Sequence, residues 1–290
     1  MPQQDRTIQT RHAEIRVRQS AGKGFPVVLI HGSGASKDVF AKQFASPMAE
    51  AHRMVAVDLP GHGESSDAVV PAETYTIKGF AVVVGEVLDR LEIGQAAVFG
   101  WSLGGHIAIE LMSWHKAVAG LMLTGTPPVP RGPLGMLRGF QTHRDVFLAS
   151  KPRFSDEDAR RFEKVCFGAH SVPEFLEAIK RADGRARKIL FNGMMRGIGA
   201  DQKRVVEETS VPVAIVNGAD EPFARLGFIA SLNYGNLWDG VCHVIEGAGH
   251  APFWQAPEVF NPLFERFVAD VEAIEAERAE RQPQKVARAG

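Results

Sequence analysis

The sequence predicts an α/β fold: a mostly parallel sheet with helices on both faces. Three observations carry that prediction. Apolar strand-like runs alternate with longer helical patterns along most of the chain. Several of those runs, such as Pro26-Val27-Val28-Leu29-Ile30, are continuously apolar, as expected of strands buried on both faces. Gly100-Trp101-Ser102-Leu103-Gly104 lies between one such run and a helical pattern, the context of a nucleophile elbow, in which a tight turn presents a serine hydroxyl at a strand end.

In order along the chain, Ile15-Arg16-Val17-Arg18 alternates with period two and reads as a half-exposed strand. Buried runs follow at Pro26–Ile30, Met54–Val57, Ala96–Phe99, Leu121–Leu123, Val213–Val216 and Val241–Ile245. Helical candidates occupy 38–50, 77–91, 103–115, 222–232 and about 257–280, with Phe80, Val83, Val84, Val87 and Leu91 of the second at helical spacing. One stretch breaks the alternation. Residues 128–208 contain no buried-strand run, only short amphipathic stretches separated by Gly and Pro, and a structureless loop of that length is implausible. The expectation is a helical cap at 128–208 inserted into one discontinuous core formed by 1–127 and 209–290. The polar tail from Gln282 is expected to fray.

The 290 residues, 45% hydrophobic with a net charge of −1, suit a globular protein and give no reason to expect a polyanionic partner such as nucleic acid. Met1-Pro2-Gln3-Gln4-Asp5-Arg6 lacks the apolar core of a secretory signal, and no apolar run approaches membrane-spanning length. Cys166 and Cys242 lie far apart without metal-type spacing. A cytoplasmic protein with reduced, buried thiols and no membrane partner is the expectation.

A serine hydroxyl becomes nucleophilic only when a base takes its proton, and the base needs a group that fixes its tautomer. With an elbow serine at 102, acid and histidine should follow in that order. Among ten histidines, His250 in Gly247-Ala248-Gly249-His250-Ala251-Pro252-Phe253 follows the last strand run. It is the expected base. His12, His52, His115, His143 and His170 read as surface groups, His243 as a core residue, and His106 as a packing residue one turn beyond Ser102. The acid should follow Val213–Val216, where Asp220 and Glu221 adjoin. Pro222 suits the first turn of a helix and favours Glu221, with Asp220 the alternative. Backbone N–H groups of Leu103 and of Ser33, in the turn His31-Gly32-Ser33-Gly34, are the expected oxyanion donors. Gly32-Ser33-Gly34 lacks the third glycine of a dinucleotide loop, and Asp58-Leu59-Pro60-Gly61-His62-Gly63-Glu64-Ser65 reads as a structural turn with an exposed-looking His62. No metal motif or P-loop spacing is present, so neither metal nor cofactor is expected. Phe140, Phe162 and Met194 are expected to line an apolar pocket beneath the cap.

Taken in order, these segments resemble the α/β-hydrolases, which implies an eight-stranded, mostly parallel sheet with flanking helices and an inserted cap. A finer resemblance rests on Phe99 to Ile107, Thr124-Gly125-Thr126-Pro127-Pro128-Val129, Asp183-Gly184-Arg185-Ala186-Arg187, Asn217 to Phe223 and Gly235-Asn236-Leu237-Trp238. Those segments are similar to the metal-independent, quorum-quenching N-acyl-homoserine lactone lactonases of that fold. The resemblance implies Glu221 as the acid and a small acyl lactone as substrate. Two positions depart from it: Ser33 stands where those relatives carry an asparagine, and Phe162 stands near the position where they carry a cap tyrosine. A broader carboxylesterase using the same residues, and a slow or inert lactone receptor, are the alternatives.

Overall fold

In the computed structural model, residues 3–142 and 144–287 are described, so His143 lies outside them. Eight strands form one sheet: β1 (Gln4–Gln9), β2 (Glu14–Gln19), β3 (Gly24–Ile30), β4 (His52–Val57), β5 (Ala96–Trp101), β6 (Val118–Thr124), β7 (Val213–Gly218) and β8 (Leu237–Ile245). Their spatial order is β1-β2-β4-β3-β5-β6-β7-β8. The β1/β2 and β2/β4 pairs are antiparallel and every other pair is parallel.

Side-chain alternation along the central strands feeds two cores. Val28, Ile30, Val55, Val57 and Val98 point to one face, where the helix Ile77–Arg90 packs Phe80, Val83, Val84 and Val87 against them. Val27, Leu29, Met54, Ala56 and Phe99 point to the other, where the helix Pro257–Ala287 supplies Phe260, Phe264 and Phe267. Phe99 lies 5.3 Å, centroid to centroid, from both Phe260 and Phe264. Because both faces are covered, these strands read as unbroken apolar runs.

Several boundaries differ from the sequence reading, each for a local reason. β1 escaped it because only Ile8 of that edge strand is buried, so no apolar alternation marks it. β8 begins at Leu237, upstream of the expected Val241. A bulge at Asp239 and Gly240, both at positive φ (59° and 67°), interrupts its ladder and imitates a turn. The single helix expected at 38–50 is three short ones, Lys37–Phe40, Ala41–Phe44 and Met48–Ala51, divided around Ser46-Pro47. The helix expected at 222–232 shrinks to Leu226–Ala230, since the preceding amides bind a carboxylate instead. The last helix continues through the expected frayed tail as far as Ala287.

Between β6 and β7 the described residues form the helices Pro133–Gly139, Arg144–Ser150, Asp156–Phe167, Gly168–His170, Pro173–Arg181, Gly184–Met195 and Gln202–Glu208, with one isolated antiparallel bridge from Phe140 to Ala224. The Asp156–Phe167 helix starts at a capping box, Ser155 and Asp158 each binding the other's backbone N–H. Asp183 both caps the Gly184–Met195 helix and accepts the Tyr75 hydroxyl at 2.7 Å, tying this segment to the sheet-covering layer. Among the described residues no helix is long and apolar enough to cross a membrane.

Candidate active site

β5 ends at Trp101, and Ser102 turns sharply into the helix Leu103–Met112 with φ 54° and ψ −118°. A non-glycine residue in that conformation costs about 1–3 kcal/mol, a strain characteristic of functional turns. Two contacts enforce it. The Ser102 N–H donates to the Thr124 carbonyl at 2.8 Å. Gly104 brings the helix so close to β3 that a Cβ there would stand 2.0 Å from the Ile30 carbonyl oxygen. The turn leaves Ser102 and the first helical residue, Leu103, on the wall of a cleft.

The turn after β3 forms a second wall. His31 is fully buried; its Nε2 accepts the Leu59 N–H at 3.1 Å, so its Nδ1–H donates to the Gly32 carbonyl at 2.7 Å. That imidazole pins the Gly32-Ser33 turn, and both residues line the cleft. His62, which the sequence left looking exposed, is buried 5.3 Å from His31 and donates to the Pro60 carbonyl. Burial pushes the pKa of His31 down to about 4 and that of His62 to about 3. Both must gain protons on unfolding below the ordinary value of 6.5. Their contribution to stability is therefore complete above that pH and is lost as pH falls toward the folded-state values. Urea titrations should show unfolding free energy declining by up to about 1.4 kcal/mol per pH unit per histidine below about pH 6.5, and His62→Asn should flatten the decline.

His250 follows β8 on a loop held by the elbow itself, since the Trp101 Nε1–H donates to the His250 carbonyl at 2.8 Å. Its Nδ1–H donates to Glu221 at 2.8 Å (Oε2) and 3.0 Å (Oε1). Glu221 Oε1 also accepts the N–H groups of Phe223 at 2.7 Å and Ala224 at 3.1 Å. Burial alone would raise this carboxyl, but the His250 charge and hydrogen bond and the two amides prevail, leaving its pKa below the usual value. Asp220 is exposed, and its side chain accepts no bond from His250. Of the two adjacent carboxylates, Glu221 is the one that meets the imidazole.

Gly125, at φ 62°, makes room for this pair: a Cβ there would stand 2.6 Å from His250 Cε1 and 3.2 Å from Glu221 Oε2. Gly125→Ala should lower kcat/KM at least about tenfold and cost about 1–2 kcal/mol through the left-handed backbone. Steady-state assay and thermal denaturation would check the two effects.

Ser33, Ser102, Leu103 and His250 meet in one cleft with an enclosed volume of about 110 Å³. Its other wall comes from the helical segment between β6 and β7. Phe140, Phe162 and Met194 all line it. Met136, Cys166, Leu190 and Phe191 line it too and were not singled out for that role. Cys166 is a buried free thiol whose pKa burial raises; Cys242, by contrast, is only half-buried. Phe147 is exposed, while Phe167 and Phe175 pack on each other at 4.2 Å. His243 is a correction: it is half-exposed and pairs with Asp239 beside the β8 bulge rather than entering the core. His106 does more than pack, since it faces the cleft, and Gln202, which the sequence reading passed over, holds its ring. Among the described residues no group of three or more His, Cys, Asp or Glu side chains could hold a metal ion.

The model of the alpha/beta hydrolase family matches residues 27–263, from β3 through the start of the last helix. The chain belongs to the alpha/beta hydrolase family. This hydrolase is similar to crystal structures of the N-acyl homoserine lactonase AidH. The complex with N-hexanoyl homoserine gives a TM-score of 0.91 at 41% identity, covering 93% of this chain and 98% of that one. The complex with N-butanoyl homoserine gives 0.90 at 42%, covering 92% and 97%. A more distant relative, 28% identical over 88% of this chain and 91% of its own, is a 2-hydroxy-6-oxononadienedioate/2-hydroxy-6-oxononatrienedioate hydrolase of Paraburkholderia phymatum. As a member of this family, and with lactonase and hydrolase relatives, the hydrolase cleaves ester bonds of small molecules.

Proposed function

We propose that this hydrolase opens the ring of N-acyl-homoserine lactones, using Ser102 as nucleophile, His250 as base and Glu221 as the residue that orients the imidazole. The observation that carries the reading is the meeting of the elbow serine, the Glu221-bound His250 and the Ser33 turn under an apolar wall. Similarity to a lactonase at 41% identity over nearly the whole chain adds to it. A serine-to-glycine mutant of that lactonase is complexed with N-hexanoyl homoserine lactone. Residues 128–208 act as the cap that receives the acyl chain, on a core of 1–127 and 209–290.

In this mechanism His250 Nε2 takes the Ser102 proton as Oγ attacks the lactone carbonyl. The Ser33 and Leu103 N–H groups stabilise the oxyanion, each contributing about 10²–10³ in rate. Collapse breaks the ring C–O bond, and the imidazolium returns its proton to the departing alkoxide. The product hydroxyl stays tethered to the acyl-enzyme until water, deprotonated by His250, hydrolyses it to N-acyl-homoserine. Destroying such a signal is quorum quenching.

Treatment of N-hexanoyl homoserine lactone with the protein, followed by acidification, tests the reaction. Acid recloses a hydrolysed lactone and restores the starting compound, and failure to recover it would sink ring opening as the chemistry. An apolar cleft also accepts acyl esters, so a kcat/KM for an aryl ester exceeding that for the lactone favours a broader carboxylesterase.

A further inference from the structure

His106 is held in one tautomer by a side chain that has no other role in the site. Its Nδ1 lies 2.7 Å from Gln202 Oε1, while the Gln202 amide nitrogen donates to the His106 carbonyl at 3.3 Å. That second bond fixes which end of the Gln202 amide faces the ring, so Nδ1 carries the proton and Nε2 the lone pair. Both side chains are buried, His106 at 5% and Gln202 at 4% exposure. Nε2 has no hydrogen-bond partner among the described residues, and His106 lines the cleft beside Phe140, whose ring centroid is 5.8 Å away. Burial keeps the imidazole neutral, with its pKa pushed down to about 4. The cleft therefore presents a fixed hydrogen-bond acceptor on an otherwise largely apolar wall.

Its distance from the reacting centre is set by the helix. His106 lies one turn beyond Ser102 and donates its own N–H to the Ser102 carbonyl at 3.3 Å, and both residues line the same cleft. In an N-acyl-homoserine lactone the amide N–H is two bonds from the carbonyl carbon that Ser102 attacks. We propose that His106 Nε2 accepts this amide N–H, and that the Gln202-fixed tautomer makes the hydrolase select acyl substrates with an N–H donor at the carbon next to the scissile carbonyl. An ester or methylene at that place offers the lone pair nothing, and a site built for a donor discriminates strongly against analogues lacking it. The inference rests on the lactonase reading for its natural substrate and on His106 alone for its selectivity.

The test compares kcat/KM for N-hexanoyl homoserine lactone with that for its carbon isostere, in which CH₂ replaces N–H. A parallel pair is the aryl ester of N-hexanoylglycine and its CH₂ isostere. Wild type should prefer the N–H compound in each pair by at least about tenfold. His106→Leu should bring the ratio to within about twofold. Gln202→Glu, which puts a carboxylate on Nδ1 and favours the imidazolium, should shrink it as well, because Nε2 then donates. Equal rates for the two members of a pair in wild type would overturn the proposal without recourse to any variant, and so would a ratio unchanged in both variants. If the lactone is untouched while the glycine ester turns over, the lactonase reading falls and the ester pair still judges His106.

Discussion

Ser102→Ala should lower kcat on N-hexanoyl homoserine lactone by about 10⁴–10⁶, since loss of a nucleophile from such a triad removes nearly all of its chemistry. The variant should still bind the lactone, because the apolar wall and the Ser33 and Leu103 amides remain. Calorimetric titration with intact lactone would measure that binding. Replacement by glycine separates chemistry from backbone strain. Ser102 sits at φ 54° because Thr124 and the close β3–helix approach hold it there. Ser102→Gly should be equally inactive yet more stable than wild type by about 1 kcal/mol in denaturant titration. Turnover within tenfold of wild type in either variant would refute the nucleophile assignment.

Glu221→Gln should cost about 10⁴ in kcat, the loss expected when the residue orienting a catalytic imidazole becomes an amide. The reason is visible in the donor count. Both carboxylate oxygens face His250 Nδ1, and Oε1 also takes two backbone N–H groups. An amide must turn its NH₂ either toward those N–H groups or toward Nδ1, and the second choice drives the imidazole into the wrong tautomer. Asp220→Asn, at an exposed position, should leave kcat within about twofold. Because the Glu221 pKa is lowered on folding, the carboxylate's contribution to stability is present above its ordinary value. It is lost as pH drops through the depressed folded-state value.

Much of this arrangement was legible in the sequence because it is local or has a fixed chain order. The elbow, its helix and the parallel strands follow from short patterns whose context is a few residues wide. His250 and the carboxylate pair follow from their places after β8 and β7. Choosing Glu221 over Asp220 on turn rules agrees with the geometry for a related reason: Phe223 and Ala224 wrap their amides around that carboxylate, which also explains why the expected helix starts late. What escaped depends on contacts between distant segments. Gln202 stands 96 residues from His106, so no local pattern links them. His62 looks exposed in a Gly-rich turn, yet His31 and Phe80 cover it. His243 sits in an apolar run, but it pairs with Val216 on the edge strand of the sheet, where its ring stays half-exposed beside Asp239.

The bond from the Trp101 indole to the carbonyl of His250 has a bearing on how this scaffold could be re-purposed. The polar partners that aim the imidazole, Trp101 and Glu221, lie outside 128–208, whereas much of the apolar lining comes from within it. Aim and appetite are thus encoded in separate stretches of chain. Swapping helices of the inserted stretch for those of another hydrolase should redirect which acyl groups are accepted and leave the proton-handling apparatus in register. The same division lets natural variation explore new substrates without re-solving the chemistry each time.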